Sequence, residues 1–181
     1  LSKYEELTHN KGTSLTQKGR EEGIRRLMSI NLLKRLESSV YAFRLTIDRV
    51  YHLIQSTIET IHAYQSGGKL LELEDFANVD EFDMDDQNTD YFSVGKRIKI
   101  DLADMDYLSW LRELEKDADN LQLLSLMIGD ITPKHDTKLQ TLLGMIQKKQ
   151  ANPINPGNRK MIIFTAFSDT ADYLYQQVAP F

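Results

Sequence analysis

The chain has 181 residues, 41% of them apolar and 27% charged, a balance that excludes a disordered or collagen-like polypeptide. It contains no cysteine, which removes disulfides, thiolate metal sites and cysteine nucleophiles together. No apolar run reaches the ~18 to 20 residues of a membrane span and Leu1–Tyr4 opens no secretory signal, so a soluble, cytoplasmic chain with no membrane partner is expected. The start at Leu1 and the end at Phe181, just after a helix-like stretch, suggest a piece of a longer protein.

The net charge of −5 is unevenly spread. Residues 1–49 hold ten Lys/Arg against six Asp/Glu, residues 50–95 hold one against ten, and residues 96–181 hold eleven of each. A nucleic-acid contact needs only a local basic face, so the overall sign excludes nothing.

Residues 1–19 are polar, with Gly12 and Gly19, and read as a poorly ordered lead-in. From about Glu21 a helical stripe runs through Ile24, Leu27, Met28, Leu32, Leu33 and Leu36, with Arg25, Arg26, Lys34 and Arg35 off it. Ser38 and Ser39 interrupt or bend this pattern. A heptad follows on Val40, Phe43, Ile47, Val50, Ile54, Ile61 and Tyr64, with its one gap at Thr57, and Ser66-Gly67-Gly68 closes the helix. A second stripe from Leu102 to Ile128 carries Leu108, Leu111, Leu114, Ala118, Leu121 and Leu124. Two such faces satisfy each other in an antiparallel hairpin.

Between the two helices lie nine carboxylates from Glu72 to Asp90, expected to form a solvated excursion, followed by a hairpin-like alternation around Gly95. Beyond Thr132-Pro133, Asp136 or Thr137 can cap a short helix through Leu139, Leu142, Leu143 and Ile146, and Asn152–Asn158 is loop by composition. Lys160–Thr165 has the continuous apolar look of a strand buried on both faces, and Ser168 can cap a helix through Ala171, Leu174 and Val178. The fold class expected is mostly α: a long antiparallel helical hairpin, then the opening β-α unit of a doubly wound α/β domain.

Chemistry is sparse. Gly68-Lys69 and Gly95-Lys96 lack the remaining positions of a phosphate loop, GxxxxGK[ST]. Asp80-Glu81-Phe82-Asp83 spells a DExD string, but in an acidic stretch and not at the end of an apolar strand. An EF-hand register from Asp83 fails, with Asn88 where Gly is needed and Val94 where a bidentate Glu is needed. His9, His52, His62 and His135 are dispersed, and Gln17-Lys-Gly-Arg20 misses the arginine-finger pattern QxxGRxxR by one position. Trp110, Tyr41, Phe43, Tyr51 and Tyr64 lie on helical faces, as core aromatics do. No catalytic, cofactor-binding or metal-ligating residue is assigned. Arg25, Arg26, Lys34, Arg35, Arg44 and Arg49 form either a solvated face or a phosphate-tracking one.

Two stretches resemble a known family. Asn31-Leu-Leu-Lys-Arg-Leu-Glu-Ser-Ser39 with Val40–Arg44 resembles the segment closing the first motor domain of bacterial superfamily 2 helicases of the Swi/Snf-like kind. Lys134–Leu143, then Arg159-Lys-Met-Ile-Ile-Phe-Thr-Ala-Phe-Ser168 continuing to Leu174, resembles the opening of their second RecA-like domain, including motif IV. The resemblance covers about half the chain. It implies residues 20–39 as the end of the first motor domain, 40–131 as a helical insertion with an acidic loop at 69–95, and 132–181 as the start of the helicase C-terminal domain. It further implies a piece spanning the two lobes of an ATP-dependent DNA helicase or translocase, not catalytic alone. ATP and Mg²⁺ would serve the whole motor, and DNA and the rest of the polypeptide would be its partners. Thr165 and Ser168 are carried over as nucleic-acid contacts from motif IV; Arg26, Lys34 and Arg35 are added from charge. The alternative from another class is a helical-hairpin protein-interaction module whose acidic segment docks a partner protein.

Overall fold

The computed structural model describes residues 17–67 and 102–180, with side chains from Glu22 onward. Residues 1–16 of the lead-in expected over 1–19, the acidic loop with its DExD string and failed calcium register, and the alternation around Gly95 lie outside the described residues, as do the side chains of Gln17–Glu21, while residues 17–19 already belong to a helix. The rest is mostly α-helical: α1 (Gln17–Ser38), α2 (Val40–Gln65), a 3-10 turn (Leu102–Asp104), α3 (Tyr107–Gly129), α4 (Thr137–Ala151) and α5 (Ser168–Val178). Among the described residues, no helix is long and apolar enough to cross a membrane.

The break between α1 and α2 is one residue wide. Ser39 adopts an extended conformation (φ −157°, ψ 147°), and its hydroxyl accepts from the Ala42 amide at 3.0 Å, the N-cap arrangement that starts a new helix. At the far end Ser66 closes α2, and the next residue, Gly67, takes the left-handed φ of 78° that a side chain would resist.

Helices α2 and α3 pack antiparallel, as three pairs along their length record. Tyr64 meets Tyr107 edge to face at 5.5 Å, His62 Nε2 lies 4.0 Å from Glu115, and Ser125 donates to Asp48 at 2.6 Å. Ile58, Ile61, Leu102, Leu111 and Ala118 form the core of this hairpin, with Ile54, Trp110 and Leu114 packed around it. Each fully buried aliphatic side chain stabilises the pairing by roughly 1.5 to 3 kcal/mol. The heptad gap at Thr57 is in the core: its hydroxyl donates to the Leu53 carbonyl at 2.8 Å, so the helix itself satisfies the polar group. Leu102 belongs to the 3-10 turn; α3 proper begins at Tyr107, where the Asp106 carboxylate caps it through the Ser109 amide.

Three local expectations change. In α1 the buried face is centred on Asn31 and Arg35, while Leu33 and Leu36 of the apolar stripe are exposed. In α5 Asp169, Thr170 and Tyr173 are buried while Ala171 is exposed, and the cap position falls to Phe167 with Ser168 as the first helical residue. Lys160–Thr165 forms no strand: no neighbouring strand among the described residues offers it hydrogen bonds, and Ile162 and Phe164 remain 80% and 90% exposed. The expected β-α unit is therefore not formed among the described residues: α5 is present, and no strand precedes it.

Candidate functional site: the joint around Ser38 and Ser39

The sequence places arginines on both sides of the helix break, and the fold turns them toward one carboxylate. Arg35, from the last turn of α1, donates through Nη1 to Asp169 Oδ2 at 2.9 Å. Arg49, from α2, donates to the same carboxylate through both terminal nitrogens, Nη1 to Oδ2 at 3.0 Å and Nη2 to Oδ1 at 3.2 Å. The Arg35 side chain is 1% exposed and its guanidinium carbon sits 4.8 Å from the centre of the Phe167 ring. A buried cation persists only when paired and hydrogen-bonded, and Asp169 supplies that pairing from the first turn of α5, where a negative charge also suits the helix dipole.

Hydroxyl groups make a second layer. Thr170 Oγ1 is 2.9 Å from Ser38 Oγ and 3.0 Å from Ser39 Oγ, so one threonine of α5 spans the last residue of α1 and the break residue. Lys138, near the start of α4, donates to the Glu37 carbonyl and, at 3.1 Å, to the Ser38 carbonyl, neutralising the exposed carbonyl end of α1.

A third set joins α4 to α5. Asp136 caps α4 by accepting from the Leu139 amide at 2.9 Å through Oδ1, and accepts from the Tyr173 hydroxyl at 3.0 Å through Oδ2. Burial first, then the hydrogen bond to Asp136 and its negative charge, pushes the Tyr173 hydroxyl well above the ordinary tyrosine pKa. The ring of Tyr173 stacks on Tyr41 of α2 with centroids 4.9 Å apart and planes 9° from parallel.

Beside this joint opens a cleft of about 1030 Å³, bordered by Ile30 and Lys34 of α1, Lys138 and Met145 of α4, and Phe164 and Thr165 of the segment before α5. Its charged lining is balanced, with Lys34 and Lys138 set against Glu37 and Asp136, and the remaining walls are mostly apolar or hydroxyl-bearing. The hydroxyl of Thr165 lies 3.5 Å from Ser38 Oγ and accepts from the Phe167 amide at 3.4 Å. Among the described residues there is no grouping of three or more His, Asp or Glu side chains that could hold a metal ion.

The five residues singled out from the sequence fall in different surroundings. Lys34 and Thr165 line the cleft. Arg26 is exposed on α1 outside its lining, and Ser168 is half-buried at the start of α5. Arg35 is enclosed in its ion pair and presents no guanidinium to solvent. Asp169, Thr170, Arg49 and Lys138, which hold the joint together, were not recognisable from periodicity, since each is polar on a helix whose apolar residues suggested another face. The remaining clue was arginines on either side of a serine pair together with an aspartate in the first turn of a later helix.

In comparison with known proteins, the chain matches no family model, no curated protein and no solved structure.

Proposed function

We propose that this chain is the inter-lobe portion of an ATP-dependent DNA helicase or translocase of superfamily 2, Swi/Snf-like in kind, and is not catalytic alone. The observation that carries the reading is the pairing of Arg35 with Asp169, 134 positions apart. The two stretches that resemble the family meet at one joint, while α2 and α3 between them leave and return as a hairpin. That is the arrangement required of an insertion lodged between two motor lobes. In this reading residues 20–39 end the first lobe, 40–131 are the insertion and 132–181 open the second RecA-like domain. Lys160–Thr165, which forms no strand here, would become one only in the complete domain, and its exposed apolar run fits a segment that sheet neighbours would cover.

ATP and Mg²⁺ act elsewhere in the motor, and Thr165 and Lys34 face the DNA backbone across the cleft. The competing interaction-module reading required an open heptad face on α2, and Leu111 and Ala118 cover that face at Ile58 and Ile61. A phosphate-release assay tests the proposal: the 181-residue chain should show no turnover, and a chain extended on both sides should turn over ATP and be stimulated by DNA. Turnover by the 181-residue chain, or an extended enzyme indifferent to DNA, overturns it.

A further inference from the structure

We propose that the Ser38–Ser39 break is a latched hinge, with Asp169 and Thr170 of α5 as the latch that sets the angle between α1 and α2. This inference stands independently of the helicase reading.

A one-residue interruption between helices of 22 and 26 residues leaves their relative direction to whatever grips the break. Ser39 supplies the extended backbone, and its own hydroxyl caps α2 without reaching into α1 except through Thr170. The gripping groups come in matched pairs from both sides of the break. Arg35 of α1 and Arg49 of α2 share the Asp169 carboxylate, and Ser38 of α1 and the cap residue Ser39 share the Thr170 hydroxyl. Of two consecutive residues of α5, Asp169 therefore binds one group on either side of the hinge, and Thr170 binds the last residue of α1 and the hinge residue itself. A change in the α1–α2 angle that separates Arg35 from Arg49 must break a charge-assisted hydrogen bond on Asp169 and a hydroxyl bridge on Thr170 together.

Such coupled polar contacts give two discrete arrangements, latched and released, and not a continuous bend, because a buried guanidinium cannot drift partway from the carboxylate it pairs with without meeting a desolvation penalty. The α2–α3 hairpin is built separately, from Ile58, Ile61, Leu111 and Ala118, so release of the latch leaves it standing. The latch also lies next to the cleft: Thr165 touches Ser38, and Phe167 stacks under Arg35. A ligand entering the cleft can therefore favour one setting of the hinge.

The absence of cysteine makes paired spin labels straightforward. One pair, Ser29→Cys with Ser56→Cys, spans the hinge at two exposed positions; a control pair, Glu59→Cys with Asp117→Cys, spans the hairpin. In the otherwise unaltered chain the hinge pair should give a single narrow distance. Asp169→Ala, and separately the milder Thr170→Val, should broaden or shift that distance while the hairpin pair keeps its own. A hinge distance unchanged in both variants overturns the proposal. So does a broad distance in the unaltered chain, or loss of the hairpin distance along with the hinge distance, which would make Asp169 a general stabiliser of the fold.

Discussion

The hydroxyl of Tyr173 and the carboxylate of Asp136 meet at 3.0 Å, so that the residue capping α4 also receives the one polar atom on the buried face of the Tyr173 ring. Because burial and this carboxylate both raise the Tyr173 pKa, the protonated phenol belongs to the folded state. The sign of the pH effect follows. Below the unfolded value of about 10 the phenol is protonated in both states and its full contribution is present; as pH rises above that value the unfolded chain ionises first and stability falls. Urea midpoints between pH 8 and 11 should decline more steeply for the parent than for Tyr173→Phe, and equal slopes would count against the assignment.

Asp106 works in the opposite direction. Hydrogen bonds from Ser109, side chain and amide, hold its carboxyl below the usual aspartate value at the start of α3. Its contribution is present above the ordinary pKa of about 4 and is lost as pH falls through the lower folded value. The thermal midpoint of Asp106→Ala should therefore lie below the parent's at neutral pH, and the two should converge in acid.

The hairpin core predicts a cost at Ile61, which is fully buried between α2 and α3. Ile61→Ala should lose roughly 2 to 5 kcal/mol of unfolding free energy, the range for removing a large aliphatic side chain from a packed interior. Chemical denaturation followed through Trp110, which packs on the same cluster, measures it directly.

The two sides of the buried ion pair should differ in cost. Asp169→Ala leaves Arg35 enclosed with a charge it cannot neutralise, a loss of about 3 to 5 kcal/mol. Arg35→Met removes the charge and keeps much of the volume, and Asp169 retains both hydrogen bonds to Arg49, so its cost should be much smaller. Comparable losses in the two variants would argue that packing, not charge, dominates the joint.

On the proposed helicase function, Thr165→Ala in an extended protein should weaken coupling of ATP turnover to DNA more than it weakens nucleotide binding, since Thr165 and Lys34 line the same cleft. Phosphate release measured with and without DNA, alongside nucleotide affinity, separates the two effects.

The hairpin could be read from the sequence because its information is local. Apolar residues at heptad spacing in Val40–Tyr64 and Leu102–Ile128 define faces, Ser66-Gly67 marks the end of the first helix, and helices of 26 and 23 residues with such faces can satisfy each other. Even the core residues Ile58, Ile61, Leu111 and Ala118 follow from, or lie beside, that pattern. The joint was not legible in this way. Arg35 was assigned to a solvent-facing basic surface, and Leu33, Leu36 and Ala171 to buried faces, since a periodic reading ranks each residue by its own hydropathy. For Arg35 it is the approach of α5 to the Ser38–Ser39 break that changes the assignment. It brings Asp169 to Arg35 and Arg49 and makes burial of a guanidinium less costly than burial without a carboxylate partner would be. The decisive term is electrostatic and depends on a partner 134 positions away, a distance across which no local period carries information.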